Sequence, residues 1–323
     1  MSEIVIGRAT FVVQPQSPVL ATARLAKAYG WLCFEIWLLI ALGGGVRAMN
    51  AGLACPDWPL CFGDVIPDYH PQVYLEFIHR AMAGMVGIAS LIMGILVLRT
   101  PHVRRSLKWL VFGSWVLLAA QIILGGLTVL LLLHEKVVVG HLLLAGAFFA
   151  SNLWLYLSLK HPTAAPLKLS AFAKTSWAVL AVIVGQITLG GFVASHYAAL
   201  VCTDFPLCHG QFIPTLKGVL GLHVMHRLGA YITALSVIGL GVWAWRSAAV
   251  PAPVRRATMW MVIIVLWQML VGIANVLFYT PPLITVIHLA SGMALLGLSL
   301  NQAKIAASLG GRDAATLAAR HSR

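Results

Sequence analysis

Apolar stretches recur along the chain at about 31–49, 75–98, 109–133, 137–159, 175–195, 219–245, 257–279 and 283–303, with charged residues and prolines gathered between them. A hydrocarbon core of about 30 Å takes roughly 20 helical residues to cross, so the pattern predicts eight transmembrane α-helices. Composition agrees. A 323-residue chain that is 60% hydrophobic and 10% charged, with a mean hydropathy of +0.90, has too little polar surface to cover a water-soluble globule. The loops at about 50–74 and 196–218 are the only long ones.

The chain also repeats itself, without a gap, at an offset of 147 residues. Cys55-Pro-Asp-Trp-Pro-Leu-Cys61 returns as Cys202-Thr-Asp-Phe-Pro-Leu-Cys208. In the same register Gly44 meets Gly191, Pro67 meets Pro214, His79-Arg80 meets His226-Arg227, Gln121 meets Gln268 and His141 meets His288. This is a tandem duplication of one four-helix unit. An even number of crossings returns the chain to its starting side, so the halves share one orientation about a pseudo-twofold axis along the membrane normal. The expected fold class is an all-α integral membrane protein made of two pseudo-twofold-related four-helix bundles. The expected divisions are a lead-in at 1–30, an N-terminal bundle at 31–159, a linker at 160–174, a C-terminal bundle at 175–304 and a tail at 305–323.

A formal charge of +13 raises nucleic acid as a partner, but the placement of the charge points to topology instead. Arg8, Arg24 and Lys27 precede the first helix; Arg99, Arg104, Arg105 and Lys108 join the second and third; Lys160, Lys168 and Lys174 join the fourth and fifth. Arg246, Arg255 and Arg256 join the sixth and seventh, and Lys304, Arg312, Arg320 and Arg323 lie at the end. By the positive-inside rule both termini, the linker and the tail are cytoplasmic and both cysteine loops face outward. The first 30 residues lack a compact apolar core followed by a small-residue cleavage site, so the first helix is expected to be an uncleaved anchor.

His79 and His141 fall about one turn inside the outer ends of the second and fourth predicted helices, and His226 and His288 repeat the arrangement. A lone histidine in an apolar helix is commonly a hydrogen-bonded structural residue, but ionisable groups at membrane depth are functional by default, and these four recur in register. Two imidazoles at one level in each bundle suit a haem held between facing helices. Zinc or copper fits less well, because two histidines with no thiolate or carboxylate at the same depth leave the shell short. Arg80 and Arg227 are candidates for haem propionates, or for snorkelling to the interface. Gly43, Gly44 and Gly45, Gly125 and Gly126, Gly190 and Gly191, and Gly272 lie near the outer ends of the odd-numbered helices. They admit either close helix packing or a porphyrin edge.

The copies diverge at Glu76, one turn from His79, whose counterpart is His223. The carboxylate is either a first-turn residue favoured by the helix dipole or the mark of the half that does chemistry, moving protons or stabilising a developing cation. Four of the five cysteines form two Cys-x5-Cys pairs in loops expected to be extracytoplasmic, an oxidising setting that favours disulfides Cys55–Cys61 and Cys202–Cys208. They are structural staples or a redox-active pair. Cys33 is expected to be a small core residue of the first helix.

Together these motifs resemble the haem A synthase family over roughly residues 25–305: the Gly-Gly-x-Val-Arg end of the first helix, the Cys-Pro-Asp-Trp-Pro-Leu-Cys loop, Glu76-Phe-Ile-His79-Arg80, Gln121-x3-Gly-Gly, His141 and the second copy ending in His288. The resemblance implies a bacterial plasma-membrane (cell inner membrane) oxidoreductase that oxidises a ring methyl of haem O to a formyl, by successive hydroxylations, to give haem A for aa3-type terminal oxidases. It implies that His79 and His141 hold the substrate haem O, that His226 and His288 are the iron ligands of a cofactor haem b, and that Glu76 takes part in catalysis. Implied partners are haem O, a haem O synthase by pathway logic, an electron acceptor or donor, and lipid; a homo-oligomer is compatible with it. The rival readings are a bis-His dihaem cytochrome b in quinol-linked electron transfer, which Glu76 opposite His223 disfavours, and a carrier, which would place its ionisable residues at the midplane.

Overall fold

The computed structural model describes residues 3–6, 9–12, 18–101, 103–161 and 169–309. Arg8, Lys168, Arg312, Arg320 and Arg323 of the basic pattern lie outside the described residues, as do linker residues 162–168 and the tail from 310 onward. The helices are α1 (Pro18–Ala48), α2 (Pro71–Arg99), α3 (Arg105–Leu130), α4 (Glu135–Lys160), α5 (Ala171–Ser195), α6 (Gly218–Arg246), α7 (Ala252–Leu277) and α8 (Pro282–Leu309). All eight are long and apolar enough to cross a membrane.

Three features depart from expectation. A short antiparallel hairpin, β1 (Glu3–Ile6) against β2 (Ala9–Val12), occupies part of the lead-in. Helix α1 starts well before residue 31, because Thr22, Arg24 and Lys27 interrupt the apolar run without breaking helical propensity. At the other end α8 continues past the predicted bundle, and Ala306 and Ala307 are buried rather than loosely held.

The helix ends follow local chemistry. Ser170 caps α5 by accepting the Ala173 N–H at 3.2 Å, and proline stands in the first turn of α2 and α7. The odd-numbered helices run into left-handed residues at the end that carries the cysteine loops: Asn50 after α1, Leu132 and Leu133 after α3, Tyr197 after α5, Tyr279 and Thr280 after α7. Each such non-glycine residue costs about 1–2 kcal/mol. The turns are closed by Ala51 N–H to Val46 O (2.8 Å), Leu133 N–H to Thr128 O (2.8 Å) and Thr280 N–H to Asn275 O (2.7 Å).

Packing places the helices in two rings. In the first, α1 touches α2 and α4, and α3 touches α2 and α4; in the second, α5 touches α6 and α8, and α7 touches α6 and α8. The rings meet through α1 on α8, α5 on α4 and α4 on α8. This set of partners is unchanged when each helix is exchanged for the one four places along. It puts α2 diagonally across from α4, and α6 from α8. One core gathers Tyr29, Ile36, Leu155 and Met293, with Cys33 buried among them, and the other gathers Ile183, Val237, Leu240 and Met261. Directed bonds cross between the rings: Trp37 Nε1 donates to Ala290 O (2.8 Å), and Lys304 Nζ to Ser158 Oγ (2.5 Å) and Trp154 O (3.2 Å). Arg47 Nη2 donates to Ala194 O at 2.8 Å, so the arginine ending α1 reaches its own counterpart in α5.

Helices α2 and α3 approach closely at Gly94, where an added Cβ would lie 2.5 Å from Trp115 Cζ2. The indole is rigid and cannot yield cheaply. Gly94→Ala is therefore expected to destabilise the protein by about 1–3 kcal/mol, measured as a lowered Tm in detergent; an unchanged Tm would show that α3 shifts freely on α2.

Candidate functional site

Each cysteine loop is built the same way. Disulfides join Cys55 to Cys61 and Cys202 to Cys208, and short antiparallel bridges pair Cys61 with Asp64 and Cys208 with Gln211. Asp57 closes the first loop by accepting the N–H groups of Phe62 (2.6 Å) and Gly63 (2.8 Å); Asp204 does the same for His209 (3.3 Å) and Gly210 (3.5 Å). Phe62 and His209 adopt left-handed backbone to turn the chain. The Gly63 N–H, then that of Phe62, holds the Asp57 carboxyl below the usual carboxylate range.

An arginine about two and a half turns into the following helix anchors the loop to the bundle. Arg80 donates from Nη1 to Asp57 O (2.8 Å) and Leu60 O (2.6 Å), and from Nη2 to Cys55 O (3.2 Å) and Glu76 Oε1 (2.6 Å). Of the five guanidinium N–H groups, only the one on Nε is left over. Arg227 repeats the arrangement on Leu207 O (3.0 Å) and Cys202 O (2.7 Å). The geometry directs both guanidinium groups to loop carbonyls, a role that the sequence did not suggest.

Glu76 and His223 occupy one place with different chemistry. Glu76, 4% exposed, pairs with Arg80 and accepts the Cys55 N–H through Oε2 at a long 3.4 Å. His223, 3% exposed, accepts from Arg227 Nε through Nε2 (3.0 Å), so its proton sits on Nδ1 and is donated to Ala198 O (2.7 Å). Both nitrogens of that ring are occupied by the fold. The carboxylate in the first half keeps a weakly held oxygen.

The four repeated histidines lie about two turns into their helices rather than one. Every one is seated on a glycine of the preceding helix. A Cβ at Gly43 would stand 2.9 Å from His79 Cε1, at Gly125 3.2 Å from His141 Cε1, at Gly190 3.0 Å from His226 Cε1 and at Gly272 3.0 Å from His288 Cε1. The glycine that follows in α1 and in α5 packs across the halves instead: a Cβ at Gly44 would fall 2.6 Å from Leu289 Cδ2, and one at Gly191 3.1 Å from Leu142 Cδ2. In the second ring the diagonal helices α6 and α8 bring the His226 and His288 ring centroids to 6.5 Å, with the planes at 85°. His79 and His141 hold the corresponding places on the diagonal pair α2 and α4. The Nδ1 atoms of His79, His141 and His288 are buried without a hydrogen-bond partner.

Polar neighbours distinguish the sites. Gln186 Nε2 lies 3.0 Å from His226 Nδ1 and donates to His226 O (2.9 Å); its counterpart is Leu39. Gln121 Nε2 lies 3.4 Å from His141 Nε2, whereas Gln268 Nε2 donates to His288 O at 2.9 Å. Trp58 covers Gly126, where a Cβ would come within 3.0 Å of the indole; Ile273 stands at the equivalent place in α7. The offset of 147 was the signal for the Gly–His pairs. Nothing in the register marks Gln186, whose partner position is apolar.

Fold and site together define a duplicated eight-helix membrane protein that presents paired imidazoles in each half. The chain belongs to the COX15-CtaA family, described as cytochrome oxidase assembly protein, which matches residues 28–300. It is 32% identical over 306 residues to the Heme A synthase of Shewanella oneidensis, covering 81% of this chain and 90% of that protein. It is 30% identical to the Heme A synthase of Halalkalibacterium halodurans, covering 82% and 91% of the two chains, and 27% identical to that of Symbiobacterium thermophilum, covering 78% and 85%.

A depressed carboxyl pKa stabilises the fold above the ordinary aspartate range, and that contribution is lost as pH falls through the lowered value. The rate at which a phosphine reductant opens Cys55–Cys61, divided by its rate on a small linear disulfide at the same pH to remove the protonation of the phosphine, is therefore expected to be flat from neutral pH down to the ordinary aspartate pKa of about 4 and to rise below it. Asp57→Asn should reduce faster at every pH; equal rates for variant and wild type would show that Asp57 does not close the loop.

Proposed function

We propose that this chain makes haem A, oxidising a ring methyl of haem O to a formyl by two hydroxylations, each of which adds an oxygen atom and removes two electrons to a partner electron acceptor, and by loss of water from the resulting gem-diol. The observation that carries the reading is the close approach of His226 and His288 on diagonal helices, 6.5 Å between ring centroids, repeated in position by His79 and His141. Imidazole nitrogens that would hold one iron through bonds of about 2 Å would belong to rings about as far apart as those of His226 and His288. Among the described residues no group of three or more His, Cys, Asp or Glu is placed to hold a metal ion. Two imidazoles suit an iron that arrives with four porphyrin nitrogens, and the residues present fit that group.

In this reading His226 and His288 hold haem b, which supplies one-electron transfer when bound, and His79 and His141 hold the substrate haem O. The N-terminal bundle (31–159) is the catalytic half and the C-terminal bundle (175–304) the cofactor half, related by a twofold axis along the membrane normal; the exchange symmetry of the helix partners supports that relation. Glu76 is the catalytic carboxylate. Its charge lies one turn from His79, Arg80 fixes Oε1, and Oε2, held only by the long Cys55 contact, is free to take a proton. His223 has no such free atom, which supports assigning chemistry to one half. The cysteine loops lie on the extracytoplasmic side and both termini in the cytoplasm of a bacterial plasma membrane, in line with the basic residues at the opposite helix ends. Haem O reaches the site laterally from lipid, supplied by a prenyltransferase.

Co-expression with a haem O supply tests the assignment. Glu76→Gln, which retains the shape, should bind haem O and cut haem A yield by about 10²-fold or more, with haem O or a hydroxylated intermediate accumulating; normal haem A output would remove Glu76 from the mechanism. His226→Ala and His288→Ala should each deplete extractable haem b while leaving haem O bound. Full haem b in both variants would refute the second site.

A further inference from the structure

The two glutamines of the repeat, Gln121 and Gln268, occupy the same place in α3 and α7 yet point to different partners. Gln268 is folded back on α8: its Nε2 donates to His288 O (2.9 Å) and its Oε1 accepts from Ser291 Oγ (2.5 Å). Gly292 makes room for it, since a Cβ there would stand 3.1 Å from Gln268 Nε2. In the first half the hydroxyl is replaced by Leu144 and the glycine by Ala145. Both partners of the folded-back amide are gone, one lost as a hydrogen-bonding group and the other as space. Gln121 turns instead to the ring of His141, with Nε2 at 3.4 Å from His141 Nε2 and its own Oε1 buried without a partner.

An amide nitrogen only donates, so His141 Nε2 is the acceptor and the ring proton sits on Nδ1. That is the tautomer whose Nε2 lone pair is ready for a metal, and Gln121 covers that lone pair. Resting on the assignment of His79 and His141 to the substrate, we infer that Gln121 competes with the haem iron for His141 and makes the first site exchangeable. Incoming haem O displaces a long, weak hydrogen bond; departing haem A is replaced by it, so the imidazole is never left bare in an apolar bundle. In the second half Gln268 is locked away from the His288 ring, and Gln186 faces Nδ1 of His226 rather than its Nε2, so neither ring has its Nε2 covered by an amide and the haem stays. Gln121 is thus a positioning residue for substrate exchange.

The test uses full-length protein purified from cells supplied with haem O, and follows transfer of haem A to excess apomyoglobin. Gln121→Leu is expected to release haem A about fivefold more slowly, as loss of one competing neutral hydrogen bond implies, and to carry more haem A as isolated, with haem b content unchanged. The double variant Leu144→Ser/Ala145→Gly keeps Gln121 but gives it the partners of Gln268, and should slow release to the same degree. The reverse pair, Ser291→Leu/Gly292→Ala, should make haem b transferable. Wild-type release rates in both first-half variants, with haem b intact, would overturn the inference. If His141→Ala binds and releases haem A as the wild type does, the substrate site itself is misassigned; if His141→Ala loses haem A while the glutamine variants behave as wild type, only the role of Gln121 falls.

Discussion

The constraint on which the rest depends is the missing side chain opposite each histidine. An imidazole inside an apolar bundle must be held at a fixed depth without a polar partner for every nitrogen, and here each ring is set against the bare backbone of a glycine, at Gly43, Gly125, Gly190 and Gly272. The adjoining glycines, Gly44 and Gly191, receive Leu289 and Leu142 from the opposite half. Successive residues of one helix point about 100° apart, so a single doublet fixes the ring within its own bundle and the contact between bundles. Site geometry and the interface between halves therefore meet at adjoining residues: a side chain added at the first glycine meets the histidine, and one added at the second meets the opposite half.

On that shared frame the halves differ at most positions, and three of the exchanges beside the histidines have a local chemical consequence. Exchange of Glu76 for His223 turns a carboxylate with a weakly held oxygen into a ring whose two nitrogens are both taken. Leu39 in place of Gln186 leaves His79 Nδ1 without the neighbour that His226 Nδ1 has. Leu144 and Ala145 in place of Ser291 and Gly292 move one amide from a helix backbone to an imidazole. None of these exchanges alters the helix partners, so the surroundings of the histidines differ between the halves while the architecture stays the same.

Most of the architecture was legible in the sequence, because membrane helices report themselves through length and hydropathy and because the repeat supplies a second reading of every position. The histidines, the disulfides and the eight crossings came from those signals. The early start of α1 and the hairpin before it did not, since Thr22, Arg24 and Lys27 lower the hydropathy of a stretch that helical propensity still carries. The glycines were visible but divided between two uses that neither the packing nor the porphyrin reading anticipated singly. The latch of Arg80 and Arg227 on loop carbonyls was hidden altogether, because backbone acceptors leave no trace in side-chain patterns.

That latch bears on what the cysteines do. Cys55 contributes its N–H to Glu76 and its carbonyl to Arg80, and Arg80 in turn holds Glu76. The disulfide thus fixes the backbone groups that fix the carboxylate, and opening it would reach the site through geometry without any sulfur taking part in the oxidation. The second loop shows the same wiring on Cys202 O, with His223 bonded instead to Ala198 O. A staple found over a half with the carboxylate and a half without it is tied to the loop and its arginine, which both halves share.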